Sequence, residues 1–145
     1  MGNRSIVEQH YQDIRDKAWD RMGEIFSSGV ITELPGAGTM RGIQPFIEWN
    51  KVFERAVPDE HLEVRTIVEQ GNIVIAEGVY SGTHTGPLAT PDGTEIPATG
   101  KRISIPYADV FEVENGKVVS HRLYFDQMTL MTQLGVVPVP ATATA

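Results

Sequence analysis

Asp109 and His121 are the two residues of this sequence whose types and spacing best suit proton transfer. They lie on two segments of alternating polarity, 102–113 and 118–125, which are joined by the turn signal Asn115-Gly116. Residues that face each other across antiparallel strands have Cβ atoms about 4.5–5.5 Å apart, so a carboxylate–imidazole hydrogen bond is feasible. The carboxylate would fix the imidazole tautomer and raise its basicity, which makes the histidine a general base near neutral pH. The alternative interpretation is a buried structural pair.

The pairing register of this hairpin decides whether the two side chains meet. A two-residue turn would set Asp109 opposite Arg122, whereas a type I turn with Gly116 in a left-handed bulge would set it opposite His121. A one-residue slip moves every side chain to the other face of the sheet. We predict the bulged register, because it lets Asp126 leave the sheet and cap the last helix.

The elements that must position this pair are read from the periodicity of apolar residues. Helices are predicted over 6–26 (one helix, or two short ones, ended by Gly29), over 43–56 and over 126–135. Strands are predicted over 30–34, 62–68, 73–85, 102–113 and 118–125. This order is typical of the α+β class, with helices packed on a strongly curved mixed or antiparallel sheet that forms a conical barrel around a pocket. The loop over 86–100 is long enough to form a lid or rim.

Length and composition exclude several classes of function. The chain has 145 residues, which suits one domain, and its net charge of −7 disfavours binding to nucleic acid or to anionic membranes. It has no cysteine, which excludes disulfides and thiolate chemistry. We find neither a signal peptide nor an apolar run that would span a bilayer, and we expect a cytoplasmic protein.

Three stretches carry a resemblance to a known family: Ser81–Leu88, Pro97–Lys101 and Asn115–Gly135. In order and spacing they resemble the SnoaL-like polyketide cyclases, a branch of the nuclear-transport-factor-2-like fold. The resemblance covers a single domain over 1–137 and leaves 138–145 as a tail that we expect to be disordered. It implies a conical α+β barrel that forms a homodimer through the outer face of its sheet. It also implies cofactor-free acid–base catalysis on a small apolar ketone or ester.

When the family's catalytic residues are matched one by one to this sequence, the sequence differs from the family's pattern. The cyclases use an aspartate on the last strand, and the matching position here is Leu123, which cannot transfer protons. The histidine and glutamine that they place on the previous strand become Asp109 and Tyr107. The Asp–Arg–Asp arrangement of the limonene-epoxide-hydrolase branch is missing. In the ketosteroid-isomerase branch the base precedes a glycine by nine residues, as Glu33 precedes Gly42.

These considerations define the expected site. The expected catalytic residues are Asp109, His121, Glu33 and His84. The expected substrate-binding residues are large side chains on the pocket wall: Tyr11, Trp49, Tyr80, Tyr107, Leu123, Phe125. The alternatives are that His84 only fixes the adjoining loop and that Glu33 is exposed at the mouth of the cone. The remaining histidines, His10 and His61, are expected on the surface.

The leading hypothesis is an enzyme that abstracts a proton next to a carbonyl group, or closes a ring by the related aldol chemistry. Its partner would be a small apolar carbonyl compound. No spacing of His, Asp and Glu suggests a metal site and no glycine-rich phosphate loop follows a strand, so neither metal nor cofactor is expected. Two other hypotheses stay open: a non-catalytic binder of a hydrophobic small molecule, favoured by Leu123, and a dimeric scaffold, which a filled cavity would support.

Overall fold

The computed structural model describes residues 2–137, so the predicted disorder of 138–145 lies outside the described residues. The helices are α1 (Asn3–Asp16), α2 (Trp19–Ile25), α3 (Ile43–Ala56) and α4 (Gln127–Leu134). The strands of the main sheet are β1 (Phe26–Leu34), β2 (Gly38–Arg41), β3 (His61–Gln70), β4 (Ile73–Thr83), β7 (Arg102–Glu114) and β8 (Lys117–Phe125). In the long loop, β5 (Leu88–Ala89) and β6 (Glu95–Ile96) form a small hairpin. The predicted α+β class is confirmed.

The six-stranded sheet is mixed and open. Its strand order is β2-β1-β8-β7-β4-β3, in which β1 runs parallel to β8 and the other neighbours are antiparallel. The order ends at β2 on one side and β3 on the other, so the predicted barrel is an unclosed curved sheet. Pairing irregularities in β1, β3 and the β7–β8 ladder supply points of bending and extra twist.

The helices cover the inner face of this sheet because each has one apolar side. In α1 the buried positions fall three and four residues apart, as one side of a helix requires. Lys17 ends α1 in a left-handed conformation with φ 54°, so the predicted first helical region is two helices. The main core lies between α1, α3 and the strands β7 and β8, with Phe111 fully buried near its centre.

The predicted register of the β7–β8 hairpin was wrong. Asn115 and Gly116 have φ 51° and 77°, and Glu114 pairs with Lys117, so the connection is a two-residue turn. Such turns match the twist of the flanking strands. The extra residue is Val119, inside β8, because Val113 pairs with Val118 and the next pair is Glu112 with Ser120.

The bulge in β8 sets the partners of the predicted catalytic pair. Asp109 lies opposite Leu123, and His121 lies opposite Phe111. Compared with the prediction the pairing is shifted by two residues, which leaves every side chain on its predicted face. Asp109 and His121 are therefore diagonal neighbours on the inner face, a separation that long side chains can bridge.

The end of β8 follows the prediction. Asp126 is the N-cap of α4, where its carboxylate accepts hydrogen bonds from the backbone N–H of Thr129 at 2.9 Å and from the Thr129 hydroxyl at 2.6 Å. These bonds hold the pKa of Asp126 below its usual value. Asp126 is thereby committed to capping, and it does not line the cavity.

Candidate active site

An apolar cavity of about 320 Å³ lies between the inner face of the sheet and the helices α1 and α3. The polar groups at its inner end include Asp109, His121 and Tyr11, while Arg15, Lys17 and Glu60 bring charge to its lining. Much of its wall is aromatic or aliphatic: Ile14, Phe46, Trp49, Phe53, Leu62, Tyr80, Ile105, Leu123, Phe125. Such a cavity suits a small apolar ligand that is oriented by a few polar contacts.

Asp109 is the buried carboxylate of this cavity, with 4% of its surface exposed. The Tyr11 hydroxyl donates a hydrogen bond to its Oδ2, and Nε2 of His121 donates to its Oδ1 at 2.9 Å. The bond to Tyr11 joins residues that are 98 positions apart in the chain. Both oxygens of this buried carboxyl group therefore have a hydrogen-bond partner within the cavity.

His121 is held rigidly by its neighbours. Its ring stacks on Phe111 at a centroid separation of 4.4 Å and an interplanar angle of 9°, and the Phe46 ring stands nearly perpendicular to it at 5.3 Å. The side chain is 1% exposed, and its Nε2 is turned to Asp109. The contact between these two residues agrees with the prediction, although the register that motivated it was wrong.

Tyr11 and Tyr107 are the phenols nearest to Asp109. Burial raises the pKa of Tyr11 well above its usual value and the Asp109 charge raises it further, while the Arg15 charge acts in the opposite direction. Burial and the charge of Asp109 also raise the pKa of Tyr107. Both phenols therefore stay protonated near neutral pH and act as hydrogen-bond donors; Tyr107 donates to the carbonyl oxygen of Glu63 at 3.1 Å.

His10 was predicted on the surface, and that prediction was wrong. Its side chain is 1% exposed and packs against Phe26, Phe111 and His121 at centroid separations of 5.1, 5.4 and 5.9 Å. The spacing of the buried α1 residues could have revealed this, because position 10 falls on the same side of the helix as the buried residues at 6, 7 and 11. Burial, and secondly the nearby His121, lower the pKa of His10 well below 6.5.

This burial predicts a loss of stability in mild acid. Folding lowers the pKa of His10 below its value of 6.5 in the unfolded chain. The burial of neutral His10 therefore contributes fully to the free energy of unfolding above pH 6.5, and this contribution is lost as the pH falls towards the folded pKa. His10→Phe should therefore flatten the fall in the free energy of unfolding below about pH 6.5. Urea titrations at a series of pH values measure this. His61→Gln, at an exposed position, is the control; equal pH slopes for wild type and His10→Phe would contradict the assignment.

Two residues predicted as catalytic lie away from the cavity. Glu33 is exposed: β1 alternates in burial, so its neighbours Thr32 and Leu34 are buried while Glu33 faces outward beside Arg122 of β8. His84 is buried, but its Nδ1 is 2.9 Å from the Thr99 hydroxyl and accepts a hydrogen bond from the Thr99 backbone N–H. These contacts join it to the loop after β4, and its role stays a prediction.

The remaining predicted residues line the cavity, although their roles stay predictions. Trp49 stacks on Phe46 at 6.1 Å, and Leu123 and Phe125 project from β8. The Tyr80 hydroxyl donates to Glu60 at 2.5 Å. Burial raises the pKa of Glu60 despite this bond.

Two further observations concern residues 2–137. No group of three or more His, Asp or Glu side chains in this part of the chain is arranged to hold a metal ion. Over the same residues, no helix combines the length and the apolar character needed to cross a bilayer.

Comparison with known proteins adds the family. In the solved structures the chain is similar to a candidate SnoaL-like polyketide cyclase from Jannaschia sp. CCS1, with 21% identity, a TM-score of 0.82 and coverage of 94% of this chain and 93% of that one. It is also similar to IdmH, a candidate polyketide cyclase from Streptomyces antibioticus, with 22% identity, a TM-score of 0.79 and coverage of 93% and 99%. TsrD from Streptomyces laurentii gives 23% identity, a TM-score of 0.77 and coverage of 92% and 94%. No curated protein sequence matches the chain.

At these identities the solved structures establish a shared fold and nothing further about chemistry. The sequence shows the family as well as the fold. The sequence model of the SnoaL-like polyketide cyclase family matches residues 5–134, which is almost the whole described chain. With this match and the fold together, the chain belongs to the SnoaL-like polyketide cyclase family.

Proposed function

We propose that the chain is an acid–base enzyme that moves a proton next to the carbonyl group of a small apolar molecule, in a cyclisation or an isomerisation. The observation that carries this proposal is the Asp109 carboxylate, which lines an apolar cavity and is held by Tyr11 and His121. The proposed step uses only side chains of the chain itself. Glu33 and His84 have no part in it, because neither lines the cavity.

Asp109 is the proposed base and later the proposed acid. Its carboxyl group lines the apolar cavity, and it contacts the Tyr11 hydroxyl and the His121 imidazole. A carboxylate fixed beside a bound ketone can take up a proton and return it within one turnover. His121 is a positioning residue in this scheme: its Nε2 is turned to Asp109, and its ring is fixed by the stack on Phe111.

Tyr11 is the proposed donor to the substrate oxygen. When a ketone enters the cavity, the Tyr11 hydroxyl turns from Asp109 to the ketone oxygen. This frees Oδ2 of the Asp109 carboxylate. The proton of the α-carbon passes to Asp109, the electron pair of the C–H bond forms the enolate, and the enolate oxygen is stabilised by the Tyr11 O–H. Where the ketone carries a neighbouring C=C bond, the enolate extends over it, and return of the proton to the far carbon of that bond gives isomerisation. Attack of the enolate on a second carbonyl, with the proton returned to the new alkoxide, gives cyclisation.

The substrate class follows from the cavity wall. Trp49, Phe53 and Phe125 offer flat aromatic surfaces, against which the ring system of an aromatic or fused-ring ketone packs well. Two of the similar structures are named as candidate polyketide cyclases, which supports ring closure on such a molecule. The homodimer and the cytoplasmic location stay predictions from the sequence.

A non-catalytic binder of an apolar molecule is the second candidate. Leu123 favours it, because this leucine lies opposite Asp109 on the cavity wall where the resemblance implies the catalytic aspartate of the cyclases. The binder would take up an aromatic ketone without exchanging its α-protons. The scaffold hypothesis loses support, because the cavity is open rather than filled.

Tyr11→Phe tests the proposal directly. The assay follows exchange of α-hydrogen for deuterium on 1-indanone in D₂O by proton NMR, which reports proton abstraction without a known natural substrate. We expect the variant to lower the turnover number about 100-fold and to leave KM nearly unchanged, because the removed donor acts mainly on the enolate.

Tyr80→Phe is the matched control for this test, since it removes a phenol from the same wall at a position that faces Glu60. It should retain most of the exchange activity. Equal losses in the two variants, or no loss in Tyr11→Phe, would contradict the role of Tyr11.

A further inference from the structure

Arg15 lies at the exposed rim of the cavity, near the end of α1. Its Nε and Nη2 donate to the carbonyl oxygen of Leu62 in β3, each at 3.3 Å. These bonds fix one side of the guanidinium between α1 and β3. A guanidinium carries five N–H donors, so its remaining side can still bind a ligand.

Arg15 differs from neighbouring arginines because it has no carboxylate partner within residues 2–137. A polar groove between α1 and β3 is lined by residues that include Arg4, Arg15 and Arg65. Arg4 is paired with Glu8 at 3.6 Å, and Arg65 with Glu63 at 3.4 Å. Of these three arginines, Arg15 alone lines both this groove and the apolar cavity.

Among residues 2–137, Arg41 and Arg102 likewise have no carboxylate within ion-pair distance, but neither of them lines the apolar cavity as Arg15 does. The Arg15 charge also reaches the inner end of the cavity, where it acts on both Tyr11 and Tyr107. Its positive charge is therefore part of the electrostatics of the ligand cavity.

The other charges near the cavity do not offer an equivalent position. Lys17 is paired with Glu54 at 3.4 Å. Glu60 accepts the hydrogen bond from Tyr80 and would repel an anion. An anionic group of a ligand would therefore be directed to Arg15.

We propose that Arg15 is a specificity-determining residue that binds an anionic group, a carboxylate or its equivalent, on a ligand whose aromatic body fills the apolar cavity. The inference deepens the proposed function, on which it rests for the occupant of the cavity, and narrows its substrate class to aromatic organic anions. The guanidinium would bind the anion by charge-assisted hydrogen bonds at the rim, which leaves the apolar end of the ligand beside Asp109.

Two fluorescent probes with one aromatic skeleton test this. The anionic probe is 8-anilinonaphthalene-1-sulfonate, and the neutral probe is N-phenyl-1-naphthylamine, which lacks the sulfonate. Arg15→Gln should raise the Kd of the anionic probe about tenfold and change that of the neutral probe less than about twofold. Arg15→Lys, which keeps the charge, should retain most of the affinity for the sulfonate.

Arg65→Gln is the matched control, because Arg65 lines only the polar groove and is already paired; it should change neither Kd by more than about twofold. The two probes should displace each other in the wild type, as expected for one shared cavity. Equal weakening of both probes in Arg15→Gln, no effect on the sulfonate, or no mutual displacement would overturn the inference. A chain that binds the sulfonate through Arg15 but exchanges no α-proton would support this inference while contradicting the proposed function.

Discussion

Asp109→Asn is expected to lower the turnover number for α-proton exchange on 1-indanone about 1,000-fold, within the range of a lost general base. The amide is almost the same shape as the carboxylate and can still accept a hydrogen bond from Tyr11, but it cannot take up the proton. The side chain lies on the cavity wall with two donors aimed at it, so a direct role in the proton transfer accounts for the size of the effect. Deuterium incorporation measured by NMR gives the rate.

Glu112→Gln is the matched control for this prediction. Glu112 lies on the same strand as Asp109 but on the outer face, where it pairs with Arg122 at 3.3 Å. The control should exchange 1-indanone at nearly the wild-type rate, and both variants should bind N-phenyl-1-naphthylamine with wild-type affinity. If Asp109→Asn exchanged 1-indanone at a rate within about tenfold of the wild-type rate, another group would be the base.

Gly78→Ala is expected to lower the free energy of unfolding by about 3 kcal/mol or more. A Cβ at this position would lie 1.8 Å from the carbonyl oxygen of Glu63 and 2.9 Å from the Tyr107 hydroxyl. The same carbonyl accepts the hydrogen bond from Tyr107, which passes over the bare backbone of Gly78. The clash is with backbone rather than with a movable side chain, so β3 must shift or the bond must break. Urea unfolding followed by circular dichroism measures the difference.

Gly23→Ala provides the comparison. An added Cβ at Gly23, in α2, meets nothing within 4 Å, and alanine is favoured over glycine in helices, so this variant should be up to about 1 kcal/mol more stable. If Gly78→Ala and Gly23→Ala unfolded at the same urea concentration, the close approach of β3 to β4 at Glu63 would be contradicted.

Much of the fold could be predicted because its elements have strong local patterns. The helix over 43–56 has the predicted bounds, and strands β4, β7 and β8 begin and end within two residues of the prediction. Asp126 was predicted to cap the last helix, and it does so. In each case the signal lies within a few neighbouring residues of the sequence.

The sequence-based predictions were wrong where a bulge or a contact between distant parts of the chain decides the structure. The register of β7 and β8 depends on a bulge at Val119, which leaves no clear pattern in the sequence. Glu33 was expected in the cavity from its distance to a glycine, but the pairing of β1 with β8 sets Thr32 beside His121 and Glu33 beside the outward Arg122. The hydrogen bond between Tyr11 and Asp109 is a tertiary contact that no local pattern encodes.

The central claim is that one fixed carboxylate, Asp109, removes a proton from the carbon next to a carbonyl group. A base held on one side of the bound ketone can reach only one of the two hydrogens on that carbon, whereas solvent and buffer remove both. The most direct test is therefore the number of α-hydrogens of 1-indanone that exchange in D₂O with the wild-type chain. The two hydrogens share one NMR signal, but the signal shows whether fast exchange stops at one deuterium per molecule or continues to two. We predict exchange above the buffer rate that is specific for one of the two hydrogens. Exchange at the buffer rate, or equal exchange of both hydrogens, would contradict the claim.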